Sequence, residues 1–171
     1  MRILIEGAQG TGKTTIVNEI KKQLSDSVVM EALRPNKELK GDALQYDLID
    51  RFVKQIQDNP NGIWDRGILS GLAMTHFLCE KGELSTSVFE YYRNLIDTNL
   101  KNVFDKVFIL VPLSDTEVPD DNRRDTNVAN RDFIQKDILK YADQFGLDYT
   151  LLGRVPVEER VKPIIKAWNN Y

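Results

Sequence analysis

A glycine-rich loop near the amino terminus constrains the fold of this 171-residue chain more than any other feature. Residues 7–14 have the sequence GAQGTGKT and directly follow an apolar run over residues 3–5. They match the pattern G-x-x-x-x-G-K-[ST], which surrounds phosphate groups between a strand and a helix. Residues 14–24 then continue with the periodicity of an amphipathic helix. The sequence therefore predicts a strand, a phosphate-binding loop and a helix in succession, with a nucleoside triphosphate as ligand.

The residue types of the loop suit each part of this task. Glycines let the main chain approach an anion and adopt positive φ angles, so consecutive N–H groups point inward. Lys13 adds a mobile charge that reaches the β- and γ-phosphates, and Thr14 offers a hydroxyl group to Mg²⁺. The expected donor-binding residues of the loop are Gly7, Ala8, Gln9, Gly10, Thr11, Gly12, Lys13, Thr14 and Thr15.

Apolar runs typical of strands alternate with helical patterns along the rest of the chain. This alternation predicts an α/β fold: a five-stranded parallel sheet with helices on both faces and ligands at the carboxyl ends of the strands. The predicted strands are 2–6, 28–33, 62–65, 107–111 and 149–152. The predicted helices are 13–24, 42–57, 70–81, 85–103, 128–145 and 157–168.

Composition narrows the class of protein. The length and a hydrophobic fraction of 42% suit one domain over residues 1–171. No apolar run suits a signal peptide or a membrane span, so we expect no membrane partner and a cytoplasmic location, in the host if the source is viral. The formal net charge of −3 counts against a nucleic acid as the main partner, although it leaves local basic clusters open. A homodimer is also left open.

Two single residues have structural rather than catalytic interpretations. Cys79 is the only cysteine, which excludes an internal disulfide, and its apolar helical context predicts a small buried side chain. His76 is the only histidine and lies in the same helix, so we expect a packed or partly exposed residue rather than a ligand.

Charged residues follow two predicted strands at the edge of the sheet where phosphates are expected. Asp65 would orient or deprotonate an attacking hydroxyl, or hold a magnesium-bound water, while Arg66 would neutralise charge on the acceptor or the transferred group. Such an adjacent pair is also typical of a solvated loop end. Arg34 follows the second strand, where Pro35 disfavours a helical conformation. Arg34 suits an anionic acceptor and a plain surface position equally well.

The helix predicted over residues 42–57 has two interpretations. Gln45 and Phe52 would share a face with charged neighbours and contact a nucleobase. Alternatively, Phe52 belongs to an apolar core stripe and the polar residues face water, which the apolar periodicity favours.

The polar segment 114–131 contains Arg123, Arg124 and Arg131. Arginines on a mobile lid would close over a triphosphate, exclude water and balance charge during phosphoryl transfer. Without that task the segment would be a solvated loop, but its length favours the lid.

Taken together, these motifs resemble those of thymidylate-kinase-like P-loop nucleoside and nucleotide kinases. Residues 5–15, IEGAQGTGKTT, are similar to that group's opening, including the Glu-Gly before the loop and the second threonine. The arginine-proline and aspartate-arginine pairs after the second and third strands, and the later arginine-containing segment, fall in the family's order and spacing. The chain from residue 120 onward is also similar to small nicotinamide-riboside-kinase-like ATPases.

The resemblance implies a three-layer P-loop kinase fold. It also implies that Asp65 is a general base or magnesium organiser, that Arg66 contacts an acceptor phosphate, and that lid arginines hold the donor phosphates. The acidic residue that the family carries between the arginine and the proline after the second strand is absent here, which leaves the acceptor open.

We therefore expect a kinase that transfers the γ-phosphoryl group of ATP, with Mg²⁺, to a nucleotide or nucleoside. The expected catalytic residues are Lys13, Asp65, Arg66, Arg124 and Arg131, and Arg123 completes the donor-binding set. The expected acceptor-binding residues are Arg34, Gln45, Phe52, Asp65 and Arg66, and the expected metal ligands are Thr14 and Asp65. Two alternatives are an ATPase or nucleotide switch acting on a protein partner, and a kinase acting on a modified nucleotide within DNA.

Overall fold

Five parallel strands form one sheet at the centre of the structure, a computed structural model that describes residues 1–25, 28–30, 32–113 and 127–170. The strand order is β2-β3-β1-β4-β5, which confirms the predicted α/β class and the five-stranded parallel sheet. The strands are β1 Arg2–Glu6, β2 Val29–Met30, β3 Gly62–Asp65, β4 Lys106–Leu110 and β5 Tyr149–Leu152.

Six α-helices connect and cover the strands in the described part of the chain. They are α1 Lys13–Gln23, α2 Gly41–Asp58, α3 Ile68–Glu80, α4 Thr86–Leu95, α5 Val128–Gln144 and α6 Val157–Asn169. None of the helices within the described ranges is long and apolar enough to cross a bilayer.

Side chains of the strands alternate between two apolar cores because successive residues of a strand point to opposite faces. Ile3 and Ile5 pack with residues of α1 and α6. Leu4 and Trp64 pack with residues of α2, α3, α4 and α5 on the other face, where Trp64 meets Phe104 edge-on at 5.4 Å between ring centroids. The helices therefore lie on both faces of the sheet, as predicted.

Two predicted elements differ from the structure. The second strand is shorter than the predicted 28–33, because Met30 already pairs with Trp64 and β3 ends one residue later. The helix predicted over 85–103 changes at residue 96 into a π-helical turn, Ile96–Leu100, which keeps both of its end residues buried. Neither change moves the carboxyl ends of β1 and β3, where the candidate site lies.

The junction between β3 and α3 gives a test of this packing. A Cβ atom on Gly67 would lie 2.5 Å from Cδ1 of the buried Leu4 and 3.2 Å from Cζ of Phe52. We expect Gly67→Ala to lower the free energy of unfolding by about 1–3 kcal/mol through overpacking, measured by urea denaturation. Gly153→Ala is the matched control, since nothing lies within 4 Å of its added Cβ. Equal stability of the two variants would contradict this account.

Candidate active site

The loop between β1 and α1 adopts a conformation that depends on its glycines. Gly7, Gly10 and Gly12 have φ angles of 146°, 74° and 84°, which side chains rarely allow. A Cβ on Gly7 would lie 2.9 Å from the main-chain oxygen of Leu110. Gly12 is the N-cap of α1, and its carbonyl accepts a hydrogen bond from the Ile16 amide at 3.1 Å. The loop thus ends at a helix N-terminus, which is the arrangement that binds phosphate.

Lys13 is folded back over the start of this loop. Its Nζ donates hydrogen bonds to the Gly7 carbonyl, to the Ala8 carbonyl at 2.6 Å and to Thr11 Oγ1 at 3.3 Å. The side chain is only 6% exposed. Thr14, in the first turn of α1, is exposed, so its hydroxyl group faces outward from the same helix end. The cation and the hydroxyl therefore flank one helix N-terminus.

Two side chains that the sequence did not single out hold the loop from behind. Gln135 of α5 accepts a hydrogen bond from the Ala8 amide at 2.9 Å and donates to the Leu110 carbonyl at 3.2 Å. Arg160 of α6 donates to the Thr11 carbonyl at 2.6 Å. Both side chains are buried. The amphipathic patterns of α5 and α6 do not indicate that these two polar residues contact the loop.

A cavity of about 250 Å³ opens beside the loop. Its charged lining residues are Lys13, Asp65 and Arg66, and most of its other lining residues belong to α2 and α3, with Tyr92 of α4 and Ile134 of α5. The predicted site residues on its wall are Gly7, Ala8, Gln9, Lys13, Gln45, Phe52, Asp65 and Arg66. Arg34 does not line this cavity but a neighbouring cleft, of about 230 Å³, that it shares with Lys21 and Asp65.

The carboxylate of Asp65 is available for a ligand. Its Oδ1 is buried and has no hydrogen-bond partner among the described residues. A buried carboxylate oxygen without a partner is costly, and a hydroxyl group or a metal-bound water would satisfy it. Because Asp65 lines the cavity that also contains Lys13, a group bound there lies between the loop and this carboxylate.

Arg66 directs its exposed side chain from an unusual backbone conformation. Its φ angle is +75°, in the left-handed region, and its amide donates to the Ile5 carbonyl at 3.0 Å. Non-glycine residues with positive φ store strain of the order of 1 kcal/mol or more and cluster at functional sites. The turn places the guanidinium beside the cavity rather than continuing the strand.

Glu6 is a buried carboxyl group next to the site. The sequence identified it only as the end of the first strand and as part of the Glu-Gly pair before the loop, without a role of its own. Its Oε1 accepts from the Leu69 amide at 2.9 Å and its Oε2 from the Ser70 amide at 3.2 Å. These contacts cap α3, which explains why the helix begins at Ile68 and not at the predicted residue 70. Burial raises the pKa of Glu6, against the lowering effect of these hydrogen bonds and of Lys13.

The two interpretations of α2 each describe a part of it. Ile49, Phe52 and Ile56 are buried in the core, and Phe52 also reaches the cavity wall. Asp47 and Arg51 form an ion pair at 2.7 Å that turns away to the surface. The helix therefore packs one apolar stripe into the core, and residues next to that stripe line the cavity.

Gln45 faces the cavity in a hydrogen-bonded chain. Its Nε2 donates to Thr75 Oγ1 at 2.8 Å, and Thr75 in turn donates to the Gly71 carbonyl at 2.8 Å. A Cβ on Gly71 would lie 2.7 Å from the hydroxyl oxygen of Tyr92. Gln45, Gly71 and Tyr92 all line the cavity. This part of its lining therefore contains the amide group of Gln45 and the close contact between α3 and α4.

Of the predicted lid, Arg123 and Arg124 lie outside the described residues. Residues 128–131 form the first turn of α5, capped by Asn127, whose side chain accepts from the Ala129 amide at 2.9 Å. Arg131 is 5% exposed and lies 3.3 Å from the Asp132 carboxylate. The end of the predicted lid is therefore helical.

His76 and Cys79 lie away from the site. His76 stacks on Phe89 at 5.0 Å and pairs through Nδ1 with Asp137. Burial raises the pKa of the Cys79 thiol, which keeps it protonated, and the thiol donates to the Ser85 carbonyl at 3.2 Å. His76 is packed and partly exposed, as predicted, whereas Cys79 is half-buried rather than buried.

The loop, the sheet order and the adjoining cavity define a P-loop protein with the fold of nucleoside and nucleotide kinases. The AAA domain family model matches residues 2–160, and the chain belongs to this family. A search of curated proteins finds no match to the chain.

Solved structures show the same fold at low sequence identity. Deoxyadenosine kinase from M. mycoides, with the products dCMP and a flexible dCDP bound, has a TM-score of 0.69 and 19% identity, covering 99% of each chain. YorR protein from Bacillus subtilis, in complex with phosphorylated GDP, gives 0.61 and 20%, covering 99% of this chain and 96% of that one. Thymidylate kinase from Candida albicans gives 0.59 and 17%, covering 99% and 91%. The resemblance predicted from the motifs is confirmed.

The buried carboxyl of Glu6 generates a prediction about pH. A pKa above the ordinary 4.5 means that the folded state binds this proton more tightly than the unfolded state. Stability therefore falls as the pH rises through the unfolded pKa towards the folded one. In Glu6→Gln this contribution is absent, so we expect the wild type to lose stability relative to the variant as the pH rises above the ordinary value of 4.5. Urea denaturation at a series of pH values below and above it measures the difference, and a difference independent of pH would contradict the assignment.

Proposed function

We propose that this protein transfers the γ-phosphoryl group of ATP, in the presence of Mg²⁺, to a hydroxyl group of a nucleoside or nucleotide. The observation that carries the proposal is the cavity lined by both Lys13 and Asp65, one of whose carboxylate oxygens has no hydrogen-bond partner among the described residues. The fold shared with the solved deoxyadenosine kinase and thymidylate kinase structures supports the same conclusion, and membership of the AAA domain family supports a nucleotide ligand.

The loop and Lys13 bind the donor phosphates in this proposal. Inward-facing amides and the N-terminus of α1 favour the polyphosphate. Lys13 Nζ already sits against carbonyl oxygens of the loop, and anionic phosphate oxygens are stronger acceptors than those carbonyls. The ammonium group therefore turns from the Gly7 and Ala8 carbonyls to the β- and γ-phosphates when ATP binds.

Asp65 and Arg66 serve the acceptor. The acceptor hydroxyl gives its proton to the Asp65 carboxylate as its oxygen forms a bond to the γ-phosphorus, while the bond from that phosphorus to the bridging oxygen breaks and ADP leaves. Arg66, exposed at the mouth of the cavity, balances the charge of the moving phosphoryl group, together with Arg131 and with Arg123 and Arg124 of the undescribed segment.

The composition of the cavity wall suits a nucleoside moiety. Phe52, Leu48 and Met74 offer an apolar and aromatic surface for a planar base, and Gln45 offers an amide group that both donates and accepts hydrogen bonds. In this proposal Asp65 and Arg66 face the reacting hydroxyl group, and Phe52, Leu48 and Met74 contact the base.

The residues present fit a magnesium ion bound with the nucleotide. Thr14 and Asp65 would hold it, since the Thr14 hydroxyl is exposed at the helix end and the Asp65 oxygen lacks a partner. Mg²⁺ held there would supply positive charge that neutralises the phosphate groups during transfer. No group of three or more His, Cys, Asp or Glu side chains within the described ranges forms a separate metal site.

An assay with ATP, Mg²⁺ and a panel of nucleosides and nucleoside monophosphates tests the proposal. We expect a phosphorylated product from at least one acceptor, detected by chromatography together with stoichiometric ADP. Hydrolysis of ATP with no phosphorylated product from any acceptor would overturn the kinase and favour the ATPase alternative. Product formed only when DNA with modified nucleotides is added to the same assay would favour the kinase acting on a modified nucleotide within DNA.

Two substitutions separate the roles of donor and acceptor residues. Lys13→Met is expected to weaken ATP binding and to abolish turnover, because it removes the ammonium group from the phosphates. Asp65→Asn keeps the size of the side chain and is expected to bind ATP normally while kcat falls about 10²- to 10⁴-fold, the range for a lost general base.

Calorimetry of ATP binding and steady-state kinetics measure both effects. Asp105→Asn is the control, since Asp105 accepts from the Arg2 amide at the opposite end of the sheet. A kcat unchanged in Asp65→Asn but lost in Glu6→Gln would transfer the role of base to Glu6. Equal loss of ATP affinity in Lys13→Met and Asp65→Asn would contradict both assignments.

A further inference from the structure

Arg160 is the most deeply buried arginine of the structure's described part, with 1% of its surface exposed. Its Nη1 donates to the Thr11 carbonyl at 2.6 Å, its Nε to the Gly153 carbonyl at 2.7 Å and its Nη2 to the Val111 carbonyl at 3.2 Å. One guanidinium therefore ties the phosphate loop to the residues that follow β4 and β5.

The contact with Thr11 sets the direction of a loop donor. The Thr11 carbonyl and the Gly12 amide belong to one peptide unit, and the described residues contain no cis peptide bond. In a planar trans peptide the C=O and N–H bonds point in opposite directions. With the carbonyl fixed on Arg160, the Gly12 N–H points away from the guanidinium. The hydrogen bond also polarises the peptide, which strengthens that N–H as a donor.

Among the described residues, no carboxylate forms an ion pair with Arg160. The three acceptors of its hydrogen bonds there are main-chain carbonyls, and burial lowers the pKa of this guanidinium. A buried charge is normally balanced by an opposite one. An added Cβ on Gly12 would lie 3.9 Å from Nη1, so the charge sits directly behind the N-cap of α1.

We propose that Arg160 is a positioning residue for the donor polyphosphate. It orients the Thr11–Gly12 peptide so that the Gly12 amide faces the phosphates, and its buried charge is balanced by the anionic ligand. This inference rests on the proposed binding of ATP at the loop. It predicts an effect that grows with the number of phosphate charges, whereas a purely structural arginine would affect all ligands alike.

A competition experiment tests this charge dependence. A fluorescent ATP analogue occupies the donor site, and adenosine, AMP, ADP and ATP displace it in the absence of Mg²⁺, so each phosphate adds ligand charge. For Arg160→Met we expect affinity to fall about threefold per ligand charge relative to wild type, roughly one RT for each charge pair, with adenosine unaffected. Arg160→Lys keeps the charge but loses the planar guanidinium group. We expect it to lower the affinity for ATP by less than Arg160→Met does, but by more than it lowers the affinity for adenosine.

Arg2→Met is the matched control. Arg2 also donates only to main-chain carbonyls, those of Asn59 and Ile56, at the opposite end of the sheet, and its loss changes the net charge equally. We expect this variant to keep wild-type affinity for all four ligands, and thermal unfolding records the stability of every variant.

An equal loss for all four ligands, or wild-type affinity for ATP in Arg160→Met, would overturn the role of Arg160. Should the methionine variant not fold, Arg160→Lys decides by itself: wild-type affinity, or a loss as large for adenosine as for ATP, rejects the proposal. Failure of the wild-type protein to bind ATP or ADP would reject the proposed function instead, so the two failures are distinct.

Discussion

The conformation of residues 7–12 depends on the satisfaction of main-chain groups that point away from any ligand. A loop that directs amides inward leaves other carbonyls and amides facing the protein, and these need partners because unpaired buried polar groups are costly. Gln135 supplies the acceptor for Ala8, and Arg160 supplies the donor for Thr11. The glycines make the loop shape accessible, while these two distant side chains select it.

Three buried charged side chains lie at this loop or directly before or behind it. Glu6, Lys13 and Arg160 are all at most 6% exposed, although such side chains are almost never buried without partners. Glu6 caps α3, and Lys13 is held by the loop itself. The low local dielectric that makes these charges expensive also makes their action on a phosphate stronger than in water. The cost of burying them is thus connected with the capacity to bind an anion.

The elements that the sequence predicts are those with local signals. The loop pattern and the Asp65-Arg66 pair at the end of β3 involve neighbouring residues, and the alternation of strands and helices follows from periodicity. Gln135 and Arg160 act on residues 127 and 149 positions away, and each occupies an ordinary polar position of an amphipathic helix. The length of β2 likewise depends on where β3 ends, which is a property of register. Such contacts join residues that are distant in the sequence, so no local sequence pattern predicts them.

Helix α5 carries residues that belong to the loop's surroundings, to the cavity and to the predicted lid. Arg131 lies three residues before Ile134 and four before Gln135 on α5, so it is a surface neighbour of both. Ile134 lines the cavity, Gln135 binds the loop at Ala8, and Arg131 is the last residue of the predicted lid. Because α5 is one continuous α-helix of 17 residues, Ile134 and Gln135 are held on the same rigid element. A displacement of α5 would therefore act on the loop through Gln135 and on the cavity wall through Ile134.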